Sequence, residues 1–217
     1  SAPIAPINVT PPAAKTALQR ALHAALVMVE FDVSYPTAGV KDLNYRGVGS
    51  VVDTDRGLIV VDRDTVPVGL GDIEITFADT IRVPGSLAYL HPTHNFAIIQ
   101  YDPNAVVGID VAAIAFSDEY LEEGDKAFIV GLDRDGGFVS EPATVDDISG
   151  VKMLPSGTPR FRDANLDVMK MDTDIRVLGG LVVNRRAQVL ALWASFFDPG
   201  QDERRYYGLP SETVEPI

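Results

Sequence analysis

The stretch Gly47-Val-Gly-Ser-Val-Val-Asp-Thr-Asp-Arg-Gly-Leu-Ile-Val-Val-Asp-Arg-Asp-Thr-Val66 decides the fold class. Its two short runs, Gly49-Ser-Val-Val52 and Gly57-Leu-Ile-Val-Val61, carry β-branched residues that pack well on a pleated surface. The polar Asp53-Thr-Asp-Arg-Gly57 between them has the composition of a hairpin turn. A calcium loop is the competing reading of that segment, but the later carboxylate that would complete an oxygen cage is missing. The same texture recurs on both sides. Val27-Met-Val-Glu-Phe-Asp-Val33, Asp72-Ile-Glu-Ile-Thr-Phe77, Ile81-Arg-Val83 and Phe96-Ala-Ile-Ile-Gln-Tyr101 complete a first set, which Asp102-Pro-Asn104 ends. After a loop-like segment to Ala113, a second set follows at Lys126–Val130, Phe138–Val145, Leu166–Met171, Gly180–Val183 and Ala187–Phe196. No long helices separate these strands as parallel sheets require, so the spacing predicts an all-β, antiparallel chain folded as two small barrels or a sandwich.

Upstream, Pro3, Pro6, Pro11 and Pro12 predict an extended arm. Ala17, Leu18, Ala21, Leu22 and Ala25 then fall on one helical face, predicting a short helix within Ala13–Ala25. The domain organisation read from these patterns is an arm and helix over 1–25, a first barrel with its linker over 26–112, a second barrel over 113–200, and the start of a linker over 201–217. The opening Ser1-Ala-Pro-Ile has no charged leader or initiating Met, and the stretch from Tyr207 reads as an unfinished element. Both lead to the expectation of a piece of a longer protein.

With 217 residues and 46% hydrophobic content, the chain can bury a full core. Its 31 acidic against 18 basic residues give a formal charge of -13, and no basic run is present to track phosphates, so nucleic acid and anionic membranes are poor partners. Without cysteine there is no disulfide framework and no thiolate metal site. No apolar run reaches the roughly 18 residues of a membrane-spanning helix. His91 and His94 stand three apart, but Pro92 between them opposes a helix and no third ligand has a convincing spacing, so they are read as a turn. Gly136-Gly137 is read as a hairpin turn as well, and no metal or cofactor is expected.

Beyond these patterns, the Gly47–Val66 stretch resembles the HtrA/Deg family of trypsin-like serine proteases. In that family the corresponding strand and hairpin lead to the catalytic histidine, and Asp64 stands at its place. His91-Pro-Thr-His-Asn-Phe-Ala-Ile-Ile-Gln-Tyr101 looks like the segment that carries the catalytic aspartate, with Asn95 in its position. Val177-Leu-Gly-Gly-Leu-Val-Val-Asn184 resembles the nucleophile turn, with Leu178 in the place of the serine and Arg176 where a glycine helps to shape the oxyanion hole. Asp72–Ala78, Pro84-Gly85 and Leu90-His-Pro92 are most similar to the degenerate second protease domain of the large tandem Deg proteins of plants and fungi.

The resemblance implies a trypsin-like (chymotrypsin) fold of two six-stranded β-barrels with a short N-terminal helix. It implies a preceding active protease domain and following PDZ-like domains, a role in protein quality control, and a chloroplast or nuclear location. It also implies a catalytically inactive unit, a pseudoprotease serving structure, assembly or regulation. Its partners would be other domains of the same polypeptide or other subunits, including homo-oligomers.

Two further expectations concern the former catalytic cleft: Asp64 and Arg176 could pair as a salt bridge that plugs it, or both could face water. A different class of function, a peptide-binding module, would use the residual substrate groove to hold unfolded peptide as an added strand. An enzyme reading would recruit Ser50, Ser140, Ser149, Ser156 or Ser195 with His23, His91 or His94, but none of these serines sits in a nucleophile-elbow pattern. Among the aromatics, Trp193 and Phe196 are read as core, while Tyr206 and Tyr207 are the candidate interface residues of a group that includes Phe197.

Overall fold

The computed structural model describes residues 16–33, 43–151, 166–198 and 203–214. Its first half contains strands β1 (Leu26–Asp32), β2 (Asn44–Asp53), β3 (Leu58–Val61), β4 (Asp72–Phe77), β5 (Ile81–Leu90) and β6 (Ala97–Tyr101). The second half contains β7 (Lys126–Leu132), β8 (Phe138–Val151), β9 (Leu166–Asp172), β10 (Gly180–Val183), β11 (Val189–Asp198) and β12 (Glu203–Pro210). Each set closes into a barrel, in the order β1-β2-β3-β6-β5-β4 and β10-β11-β12-β9-β8-β7. Two barrels, not a sandwich, therefore result, and closure removes the open edges that would template further pairing. Counted from its own first strand, each half runs first-second-third-sixth-fifth-fourth, so the two halves share one connectivity.

Alternation along the strands explains where the core lies. In β1, Val27, Val29 and Phe31 point into the first barrel with Ile59, Ile75 and Ile99, while Leu26 and Met28 point the other way. Those two meet Val130, Leu181, Val183 and Leu192 of the second barrel in one apolar cluster. In β10, Val182 packs inside the second barrel, whereas Leu181 and Val183 face the junction. Every residue of β10 is buried, so its unbroken apolar run reflects burial on both faces.

The turns follow their local chemistry. Asp53 Oδ1 accepts from the backbone N–H groups of Asp55 and Arg56, fixing the β2–β3 hairpin, and Gly57 leaves it at φ +66°. A Cβ at Gly57 would lie 2.2 Å from the Tyr101 carbonyl oxygen, so this position admits only glycine. The Gly136-Gly137 hairpin is organised by Asp133 Oδ1, which accepts from Asp135 and Gly137.

Three sequence expectations shift, and one lies outside the described residues. The helix is shorter than Ala13–Ala25: Thr16 caps α1 (Ala17–Leu22) through its side chain, and a 3-10 turn follows at His23–Ala25. Residues 1–15, which include the proline-rich arm, lie outside the described residues. Residues 201–217 do not begin as a linker, because Glu203–Pro210 is the strand that completes the second barrel, pairing Phe196 with Arg205 and Trp193 with Gly208. Tyr206 and Tyr207 belong to that wall: Tyr206 stacks on Trp193 and Tyr207 meets Phe196 edge-on. Both rings are half-buried there, so they are wall residues more than free interface residues, while Trp193 and Phe196 are buried core.

Because one apolar cluster spans both barrels, they are expected to unfold together. Leu181→Ala, which empties a fully buried position at the junction, should lower stability by about 2–5 kcal/mol. Calorimetry should show a single transition for the parent and the variant; two resolved transitions in the parent would mean that the barrels are independent.

Candidate functional site

The polar groups at the barrel junction gather around a turn that begins at Asp62. The backbone N–H groups of Thr65 and Val66 return to the Asp62 carbonyl, and Asp62 Oδ1 accepts from Thr65 N at 2.7 Å. This side-chain clasp shapes the loop that carries Arg63 and Asp64, as aspartates do at turn starts. The other oxygen of the same carboxylate, Oδ2, crosses to the second barrel and accepts from Ser195 N at 2.9 Å.

Asn95 completes the bridge. Its Nδ2 donates to the Ser195 carbonyl at 2.6 Å, and its Oδ1 accepts from Arg63 N at 3.2 Å. Asp64 approaches the same residue, with Oδ2 at 3.5 Å from Ser195 Oγ. Asp62, Asp64, Asn95 and Ser195 are all buried, Asn95 and Ser195 to 2% exposure, so these bonds form away from competing water. The residual void beside them, lined by Ser50, Asp62, Gly180 and Trp193, has a volume of only about 10 Å³. That is close to the least space one water molecule occupies.

Leu178 lies in a different environment. It is half-buried against the apolar cluster between the barrels, and its N–H donates to the Leu132 carbonyl at 2.9 Å. Gly179 and Gly180 follow with φ of 138° and 153°, and a Cβ at Gly180 would lie 2.0 Å from the Val130 carbonyl oxygen. The glycine pair thus permits the close backbone approach to β7. Arg176, two residues earlier, is exposed, while Asp64 is 6% exposed. No ion pair joins the two among the described residues, so the salt-bridge plug is not formed. Burial separates them: the carboxylate faces the Ser195 cluster and the guanidinium stays in solvent.

The structure therefore brings Asp64 and Asn95 together around Ser195, places Leu178 in the apolar junction, and leaves Arg176 outside. Asp62 is the member of the cluster that sequence reading passed over. Its signal was the Asp-x-x-Thr spacing of a side-chain-capped turn, although its partner lies 133 residues away.

Of the alternative nucleophiles, Ser195 faces Asp64 and Ser140 is half-buried in β8. Ser149 Oγ donates to Asp147 Oδ2 at 2.7 Å, Ser50 is buried, and Ser156 lies outside the described residues. No serine–histidine hydrogen bond occurs among the described residues. His91 and His94 form a turn, as their spacing suggests: His91 Nδ1 accepts from His94 N at 2.8 Å, and the two rings lie 4.6 Å apart. No group of three or more metal-ligating side chains occurs among the described residues.

Both histidines have pKa values lowered from 6.5, His91 by burial, then by the neighbouring His94 and Arg63, and His94 by burial. A lowered folded-state pKa favours the neutral ring, so the stability it contributes is present above the unfolded value and is lost as pH falls through the folded value. Acid denaturation should begin to weaken the protein below about pH 6.5, and His91→Asn should flatten that slope. Urea unfolding at stepped pH would measure it, and an unchanged slope would refute the assignment.

Two closed antiparallel barrels packed across an apolar junction, with a buried polar cluster at one point of it, are the architecture of a trypsin-like protease domain. Solved structures agree on the fold. The Rv3671c protease in its inactive form superposes with a TM-score of 0.68 at 14% identity, covering 96% of this chain and 95% of that one. Deg5 gives 0.66 at 16% identity, covering 92% of this chain and 89% of that one. No family model matches the sequence.

Sequence likeness is narrower: the chain matches the trypsin-like protease domain of the HtrA/Deg family. The pro-apoptotic serine protease NMA111 of Chaetomium globosum is 36% identical over 179 residues, 79% of this chain and 17% of that protein. The NMA111 protein of Vanderwaltozyma polyspora is 31% identical over 185 residues, 84% of this chain and 19% of that protein. A Schizosaccharomyces pombe relative, PDZ domain-containing protein C23G3.12c, is 31% identical over 182 residues, 81% of this chain and 18% of its own. The chain thus spans less than a fifth of the length of these relatives.

Proposed function

We propose that this domain is a pseudoprotease: a trypsin-fold module that cleaves no peptide bond and serves the structure, assembly or regulation of a longer HtrA/Deg-like protease. The observation that carries this reading is Leu178. Serine proteolysis requires a hydroxyl at the nucleophile turn and free backbone N–H groups to stabilise the oxyanion. At the position that aligns with the nucleophile, this chain has an aliphatic side chain packed in the junction and an N–H already donated to Leu132. A preorganised donor committed to a carbonyl is lost to a transition state.

The remaining assignments support the same reading. Asp64, at the aligned histidine position, faces the Ser195 hydroxyl and not a hydroxyl at the nucleophile turn, where Leu178 stands. Asn95, at the aligned aspartate position, donates to the Ser195 carbonyl, a bond that an ionised aspartate could not make. Loss of the nucleophile alone removes on the order of 10⁶ in turnover from a working triad. Partners would then be neighbouring domains of the same polypeptide or other subunits, in the chloroplast or nuclear setting that the family resemblance implies.

The test is labelling by a serine-directed fluorophosphonate together with digestion of unfolded casein, using the parent chain and the Asp64→His/Asn95→Asp/Leu178→Ser variant. The parent should show neither labelling nor cleavage. Stoichiometric labelling of the parent would overturn the proposal. Asn95→Asp alone should lower stability by about 1–3 kcal/mol at neutral pH in urea titrations, because a buried donor becomes an acceptor facing a carbonyl.

A further inference from the structure

On the outside of the second barrel, away from the Ser195 cluster, a cavity of about 250 Å³ opens between the segment that precedes β7, the ends of β8 and β9, and the turn after β12. Its floor is apolar: Met169 and Leu190 are each 4% exposed, with Leu121 and Ile148 beside them. Its rim is acidic. Asp118, Glu119, Asp167 and Glu212 line it, and no lysine or arginine does. Glu119 is engaged by Arg186 and Asn184, whereas Asp118, Asp167 and Glu212 form no ion pair among the described residues.

Two further features point to a ligand. Ser211 lines the cavity and is only 7% exposed, yet its hydroxyl makes no hydrogen bond among the described residues. Its oxygen is reachable from the cavity, where a ligand's N–H can replace water as the donor to it. Tyr120 stands at the mouth with 78% of its surface exposed, a large aromatic face with its ring open to solvent.

Apolar walls, three uncompensated carboxylates, a hydroxyl acceptor and an open aromatic face suit a cation carried on an aliphatic stem. Carboxylates from three separate segments can be spanned by the five N–H donors of a planar guanidinium, whose fork pairs two-pronged with a carboxylate, better than by the three of a compact ammonium. Guanidinium is also the cation that stacks most readily on a tyrosine ring. We propose that this cavity is a receptor for an arginine side chain presented by a partner polypeptide, with Asp118, Asp167, Glu212 and Ser211 accepting from the guanidinium, Tyr120 stacking on it, and Met169 and Leu190 packing on its stem. It shares no residue with the junction cluster and does not depend on whether the domain is catalytically inactive.

The test follows methyl NMR signals of Ile148, Met169 and Leu190 in the full chain, titrated with the peptide acetyl-Ala-Ala-Arg-Ala-Ala-amide and with versions carrying citrulline or lysine in place of arginine. The arginine peptide should shift these signals saturably with a millimolar Kd, as expected of a single seated side chain, and should weaken as salt rises. Neutral citrulline has the same shape and should not bind. Tyr120→Ala should weaken the arginine peptide about two- to fivefold, and Asp118→Asn/Asp167→Asn about tenfold. These three residues are exposed, so the variants should keep the parent's remaining spectrum. Absence of saturable shifts, or equal binding of citrulline, would overturn the proposal; lysine binding as tightly as arginine would overturn the assignment of a guanidinium.

Discussion

Strands that bury both faces set the architecture of this protein. In β1 and β10 one row of side chains closes a barrel and the opposite row joins it to its neighbour. A fully buried Val or Leu contributes about 1.5–3 kcal/mol relative to exposure, and the shared cluster contains many of them. The position of every polar group at the junction follows from this packing. Asp62 can reach Ser195 across the interface only because the barrels are pressed together by side chains such as Met28 and Leu181. The same pressure turns Leu178 inward: in a dry junction an aliphatic side chain is favoured where an exposed one would have no advantage.

The polar cluster adds orientation to that apolar attachment. Hydrophobic contact is non-directional and would tolerate small rotations of one barrel on the other. The amide and the carbonyl of Ser195 are both held, by Asp62 and by Asn95, and these bonds have direction as well as length. A rotation that kept the apolar cluster intact would still break them and leave buried polar groups unpaired. The junction is thus registered in the way a key registers a shaft, and the domain can transmit position as a single rigid body. That behaviour suits a module whose proposed role lies in assembly.

Much of this was legible in the sequence, and the misses have physical causes. The β-branched runs located β1, β3, β4, β6, β7 and β10, because strands packed on two sides must be apolar in succession. Strand β5 runs on to Leu90 beyond the legible Ile81-Arg-Val83, since Pro84 and Gly85 break the pattern while the chain continues to pair with Tyr101 and Ile99. Strand β8 extends past Val145 through the bulge between Val145 and Asp147, where the acidic pair conceals the strand. Strand β12 was hidden in Glu203-Arg-Arg-Tyr-Tyr, whose aromatic rings stack on partners that no local pattern could supply. At the site, Asp64, Asn95 and Leu178 could be picked out by their surroundings in sequence. Their arrangement could not, because it runs through Ser195, which is 131 residues from Asp64 and 100 from Asn95.

The identical strand order of the two halves has a consequence for the chain as material. Each ring closes on its own hydrogen bonds, so a cut in the linker between them would leave no frayed sheet behind. What it would expose is the apolar junction, a surface shaped to fit one partner only. The halves are therefore natural candidates for fragment complementation: made as separate polypeptides, each would be adhesive until it met the other, and their reunion would rebuild the Ser195 cluster.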